Sequence, residues 1–115
     1  MREYIPKSNY IRPEVYKRIV SVIKDYNTLK IELDGLLQQG NKKHNRSRKK
    51  ELNRKIGAFE VVWNRTDDET KKLIQLKFFS GKTYRDMWLP MSEATMRRYV
   101  GRFIRELGRE LGEID

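Results

Sequence analysis

With 115 residues the chain has room for one domain, because a sequence this short buries only about two thirds of its unfolded surface and cannot divide that core between independent units. Lys and Arg outnumber Asp and Glu by 26 to 16, and the net charge of +10 points to a polyanionic partner, either nucleic acid or an anionic membrane surface. No run of about 18 apolar residues and no charged-then-apolar leader is present, which excludes a membrane span and a secretory signal of that kind, while the absence of cysteine removes disulfide frameworks, zinc ribbons and thiol nucleophiles and fits a cytoplasmic location.

Residues 1 to 12 lack sustained periodicity and contain Pro6, Ser8 and Asn9, so they read as an irregular arm or a docked N-terminal strand, with two tyrosines and two isoleucines that favour docking. Pro13 suits the first position of a helix, where its missing N–H costs nothing. Val15, Ile19, Val22, Tyr26, Leu29, Leu33 and Leu36 then alternate in steps of four and three, a heptad stripe. That stripe has two readings that stay open: the seam of a homodimer, which would space two DNA-reading helices, or packing against the next helix of the same chain. Gly40 is expected to end this helix and to open a basic loop through Lys50 that includes His44.

Ser47 is the expected cap of a second helix carrying Leu52, Ile56, Phe59, Val62 and Trp63. Thr66, Asp67, Asp68 and Glu69 have the form of a capping box opening a third helix with Leu73, Ile74, Leu76, Phe78 and Phe79. Gly81 supplies the left-handed residue that closes it, Thr83 with Asp86 opens a short fourth helix that Pro90 stops, and Ser92 caps the last. The fold class expected is all-α: a long first helix and a second helix packed with a C-terminal helix-turn-helix. Residues 1 to 115 form the single domain, 1 to 64 its helical, oligomerising part and 65 to 115 its DNA-binding part.

On the last helix Met96, Val100, Phe103, Leu107 and Leu111 share one face, which must pack inward. At about 100° per residue, Ala94, Arg98, Gly101, Arg102, Arg105 and Arg109 fall on the opposite side, with Thr95 and Arg97 toward its edges. A recognition helix brings its first residues to base edges, so Glu93, Ala94, Thr95 and Arg98 are candidate readers. Arg98 suits a bidentate contact to guanine and Glu93 can accept from cytosine, whereas Arg102, Arg105 and Arg109 suit phosphates. Lys82, Arg85 and the hydroxyls of Thr83, Tyr84 and Ser92 are expected to clamp the flanking backbone.

Each of these has a plainer reading beside it. An arginine face is commonly just solvated, and a basic loop such as residues 42 to 50 commonly serves solubility, although it can also touch phosphates. His44 has no second His or Cys near it and is expected to be no metal ligand, and the acidic trio at residues 67 to 69 is explained by capping and the helix dipole. Trp63, Trp88, Phe78 and Phe79 are expected in the core, with a partner surface as the other role open to either tryptophan. Nothing in the sequence implies a metal or a cofactor, and no nucleophile with a base or glycine-rich phosphate loop marks an enzyme.

The stretch KKLIQLKFFSGKTYRDMWLPMSEATMRRYVGRFIRELGRELGEID resembles the C-terminal part of RinA/ArpU-type phage late transcriptional activators and region 4 of bacterial sigma factors. RPEVYKRIVSVIKDYNTLKIELDGLL and RKKELNRKIGAFEVVWNR resemble the long opening helix and following helix of the activator family more weakly. The resemblance implies a sigma-like helix-turn-helix that binds double-stranded DNA at a promoter in a bacterial host cell, with Ser92, Glu93, Thr95, Arg97 and Arg98 where the recognition helix begins. The turn from Met87 to Ser92 departs from the sigma pattern: it is shorter, and Pro90 stands in the customary glycine region. Two other readings compete: a small terminase subunit or packaging adaptor, and a sigma-like protein that engages host RNA polymerase without DNA specificity of its own.

Overall fold

The computed structural model describes residues 10 to 39 and 45 to 115. The chain is all-α, with four α-helices packed on one another and no strand among the described residues. Helix α1 spans Pro13–Gln38, α2 Arg46–Asn64, α3 Asp68–Ile74 and α4 Glu93–Glu110. A π-helical turn, Gln75–Phe79, continues α3, and a 3-10 helix, Tyr84–Met87, precedes α4.

Helices α1 and α2 run antiparallel. Moving back along α1, Glu32 meets Arg48, Leu29 packs in one apolar cluster with Leu52 and Ile56, and Tyr26 lies 4.3 Å from Phe59 between ring centroids. The heptad stripe is therefore covered within the chain. Val15, Ile19 and Val22 enter the main core, and Tyr26, Leu29, Leu33 and Leu36 pack with α2. The same pairing changes the reading of the basic segment. It is helical from Arg46 onward, so Ser47 lies inside α2 and not at its cap, and the Arg48 guanidinium binds Glu32 of α1, with one contact at 2.8 Å. Gly40, His44 and the first half of that basic run lie outside the described residues, as do residues 1 to 9; Ile11 of the arm is half-buried against the core.

The main core draws on every helix, with Ile19 and Ile23 of α1, Phe59 and Val62 of α2, Leu73 and Ile74 of α3, and Val100, Phe103, Ile104 and Leu107 of α4. Phe59 sits at its centre. Its ring meets Tyr26, Trp63 at 5.5 Å, Phe103 at 5.9 Å and Phe79 at 6.4 Å, so one side chain touches α1, the π-helical turn and α4 as well as its own helix.

Capping at α3 differs by one residue from the capping box. Asp67, not Thr66, is the N-cap: its carboxylate accepts from the Thr70 amide at 3.1 Å and the Thr70 hydroxyl at 2.8 Å, while the Thr66 hydroxyl donates back to the Val62 carbonyl. Burial disfavours the charged form of Asp67, but these bonds outweigh it and hold the carboxyl below its ordinary range. Gly81 does close the segment in the left-handed region, at φ 68°. The end of α4 is a Schellman motif: Gly112 at φ 75° lets the Glu113 amide donate to Gly108 O at 2.9 Å and its own amide donate to Arg109 O at 3.1 Å. The tail then folds back, with Glu113 accepting from Arg18 of α1 at 2.9 Å.

The largest correction concerns Trp88, which is 90% exposed and not in the core. The reason is helix geometry. In a 3-10 helix residues three apart eclipse one another, so Tyr84 and Met87 form the inward pair and both are buried. An α-turn would have carried Trp88 inward as well. Instead Trp88 ends the helix in the left-handed region, at φ 55° and ψ 37°. Phe79, 38% exposed, also stands at the core's margin, whereas Phe78 and Trp63 are half-buried against it.

Phe59→Ala should cost about 3–5 kcal/mol in urea unfolding, the range for a buried aromatic. Two glycines should separate in the same assay. A Cβ on Gly57 meets nothing within 4 Å, so Gly57→Ala should stabilise α2 by about 0.5–1 kcal/mol. A Cβ on Gly108 would lie 2.7 Å from Ile19 Cδ1, so Gly108→Val should destabilise by about 1–3 kcal/mol.

Candidate nucleic-acid interface

Helix α4 is positioned by its own start. Ser92 stands in extended conformation, its Oγ accepts from the Thr95 amide at 3.1 Å, and its hydroxyl donates to Thr95 Oγ1 at 2.9 Å. The five residues from Trp88 to Ser92 make the preceding turn. Trp88 reverses the chain, and the Met91 amide donates to Leu89 O at 2.8 Å, a γ-turn centred on Pro90. Leu89 and Met91 pack back onto the core, which fixes the turn against α4.

The inward face of α4 consists of Met96, Val100, Phe103, Ile104 and Leu107, all buried. On the other side Ala94, Arg98 and Arg102 are exposed, and Arg105 is half-buried with its guanidinium over Gly101. Arg98, Arg102 and Arg105 form no ion pair among the described residues; Arg102 lies over the Tyr99 ring at 5.2 Å. Arg109, by contrast, donates to Asp115 O at 3.1 Å. Two acids of α4 are matched elsewhere: Glu110 pairs at 3.2 Å with Arg65, the residue that follows α2, and Glu106 lies at 4.0 Å from the same guanidinium. One face thus presents three arginines without an ion pair among the described residues, of which Arg102 lies within electrostatic reach of Asp67.

Other predicted residues are placed less simply. Glu93 and Arg97 pair at 2.9 Å, with both side chains well exposed, so the link is worth only a few tenths of a kcal/mol, about what exposed (i, i+4) pairs contribute, and opens readily. Thr95 is half-buried and held to the cap. Lys82, Thr83 and Arg85 are exposed, and the Thr83 hydroxyl donates to Asp86 at 2.9 Å. Tyr84 lines the cleft at the start of α4 with most of its side chain covered. It is buried, with Lys77 at 4.4 Å and Arg97 at 5.1 Å from its ring centre, and burial foremost raises its pKa.

The residue that sequence reasoning missed is Lys77. It lies in the π-helical turn and lines a cleft of about 610 Å³ with the 3-10 helix and the start of α4. A signal was present: Leu73, Ile74, Leu76, Phe78 and Phe79 are too crowded for one face of a 3.6-residue helix, and the extra residue of the π-turn re-aims the side chains beyond it. Among the described residues no cluster of three or more His, Cys, Asp or Glu is arranged to hold a metal ion, and no helix is long and apolar enough to cross a membrane.

Ser92→Ala should cost about 1 kcal/mol of stability and speed hydrogen exchange at the Ala94 and Thr95 amides, with Ser92→Asp restoring both. No family model matches the chain, and neither a curated protein nor a solved structure matches it.

Proposed function

We propose that the protein is a sequence-specific, double-stranded DNA-binding transcriptional regulator without enzymatic activity, acting in the bacterial cytoplasm as a phage or prophage late-gene activator. The observation that carries this reading is the exposed face of α4: an N-capped helix, anchored on one side by the core, that presents Arg98, Arg102 and Arg105 without ion-pair partners among the described residues. A helix of this diameter fits the major groove. Arg98, in the second turn, is the base reader beside Ala94, and the later arginines neutralise phosphates. The resemblance of residues 71 to 115 to late activators supplies the biological setting. The heptad stripe packs on α2 of the same chain and so no longer argues for a homodimer.

A second reading, engagement of host RNA polymerase, is favoured by one observation. Trp88 is almost fully exposed beside a cleft of about 350 Å³ shared with Leu89, Met91 and Met96, and exposed tryptophans are typical anchors of protein interfaces.

In gel shifts against duplexes recovered by selection from random oligonucleotides, Arg98→Ala should weaken binding by ~10-fold or more and relax preference at one base pair, as loss of a bidentate base contact does. Arg102→Ala should weaken binding to all duplexes alike and lower the salt dependence by about one phosphate contact. Unchanged binding in both variants would sink the DNA reading. Polymerase pull-down that is lost in Trp88→Ala, with equal affinity of the protein for promoter and random DNA, would replace it with the second.

A further inference from the structure

We propose that the cleft between the π-helical turn, the 3-10 helix and α4 is a phosphate site with Lys77 as its inner cation, and that the phosphate it takes is a backbone phosphodiester of the DNA entered by α4. The identity of that phosphate rests on the DNA-binding reading; the site itself rests on charge and geometry.

Three cations line the cleft: Lys77, Arg85 and Arg97. Two carboxylates face it, and each already has a partner, since Asp86 accepts from Thr83 at 2.9 Å and Glu93 from Arg97 at 2.9 Å. Lys77 is left without a carboxylate among the described residues. It is half-buried, and the charges that bear on it are cationic: Arg97 of α4 and Lys24 of α1, which together with burial foremost lower its pKa. Its ammonium lies over the rings of Tyr84, at 4.4 Å, and Phe78, at 5.7 Å.

A partly desolvated ammonium set among other cations is unfavourable unless an anion completes the group. The aromatic faces offset part of that cost and also hold the long side chain in place, so less rotamer freedom is lost on binding. The cations come from different elements, Lys77 from the π-turn, Arg85 from the 3-10 helix and Arg97 from α4. A tetrahedral phosphate, with oxygens pointing several ways, can meet donors so distributed. The location also suits DNA: the cleft opens beside the first turn of α4, where a helix seated in the major groove approaches the flanking strand.

The test compares Lys77→Met, which keeps the stem on its two rings and removes the charge, with Lys77→Arg, which keeps the charge, in the full chain. The expected result is that Lys77→Met binds the selected duplex ~10-fold more weakly at physiological salt, with the slope of log K against log salt reduced by about 0.9, while the ranking of duplexes is unchanged and Lys77→Arg restores affinity. If Lys77→Met keeps wild-type affinity and slope while Arg98→Ala loses binding, the DNA reading stands and the phosphate site is overturned. If the wild-type protein binds no duplex, the DNA reading falls. Titration with inorganic phosphate then decides the site: amide shifts at Thr83, Arg85 and Asp86 that vanish in Lys77→Met assign it to a free phosphate, and absence of shifts in the wild type overturns it.

Discussion

The contact of Phe59 with rings from three other segments ties the architecture together. Tyr26, Trp63, Phe79 and Phe103 all reach it, so the long helices α1 and α2, the π-helical turn and α4 are referred to one point. An aromatic centre of this kind combines large apolar burial with tilted and edge-on geometries that fix relative orientation. The consequence for function is positional. The face of α4 that carries Phe103 is held inward, which leaves the arginine side no choice but to face outward. The C-terminal end is held as well, through Gly112, the return of the tail and the Glu113–Arg18 pair.

Where each step of structure follows a strong local rule, it is legible in the amino-acid order. Pro13, Ser92 and Gly81 occupy the positions that their chemistry predicts, and the apolar face of α4 is the one that its spacing requires. The misplacement between α3 and α4 has one cause, a change of helical pitch. Periodicity arguments assume 3.6 residues per turn, but the segment after α3 widens to a π-turn and the next tightens to a 3-10 helix. Lys77, Tyr84 and Trp88 all sit where pitch departs from the assumption, and Trp88 faces water where a core position is expected. The one-residue shift from Thr66 to Asp67 at the α3 cap is smaller in kind: two side chains that can cap stand next to each other, and only the backbone decides between them. The heptad stripe is a different matter. Its spacing identifies the face that is covered, but spacing alone does not distinguish a partner helix in the same chain from one in another copy.

Charge is distributed by the same packing. Glu32, Glu51, Glu106, Glu110 and Glu113 are drawn to cations of neighbouring segments or of their own helix. Four of these, Glu32, Glu106, Glu110 and Glu113, link different segments, and the net charge of +10 is carried by basic side chains beyond such pairs. Arg98, Arg102, Arg105 and Lys77 are in that remainder. An excess of basic residues by itself confers only diffuse attraction to polyanions; on α4 the outward side carries Arg98, Arg102 and Arg105, while the acids of that helix lie toward its other flanks.

The two tryptophans illustrate how differently one residue type is used. Trp63 is stacked on Phe59 within the helical body, with the Lys71 ammonium over its ring, whereas Trp88 stands in water on a backbone reversal. The chain therefore carries two intrinsic chromophores in different environments: Trp63, half-buried on the core, should report on the integrity of the packing, while Trp88, exposed, should emit further to the red and be open to a soluble quencher. Steady-state fluorescence can follow unfolding on one and occupancy of the turn on the other, without a label.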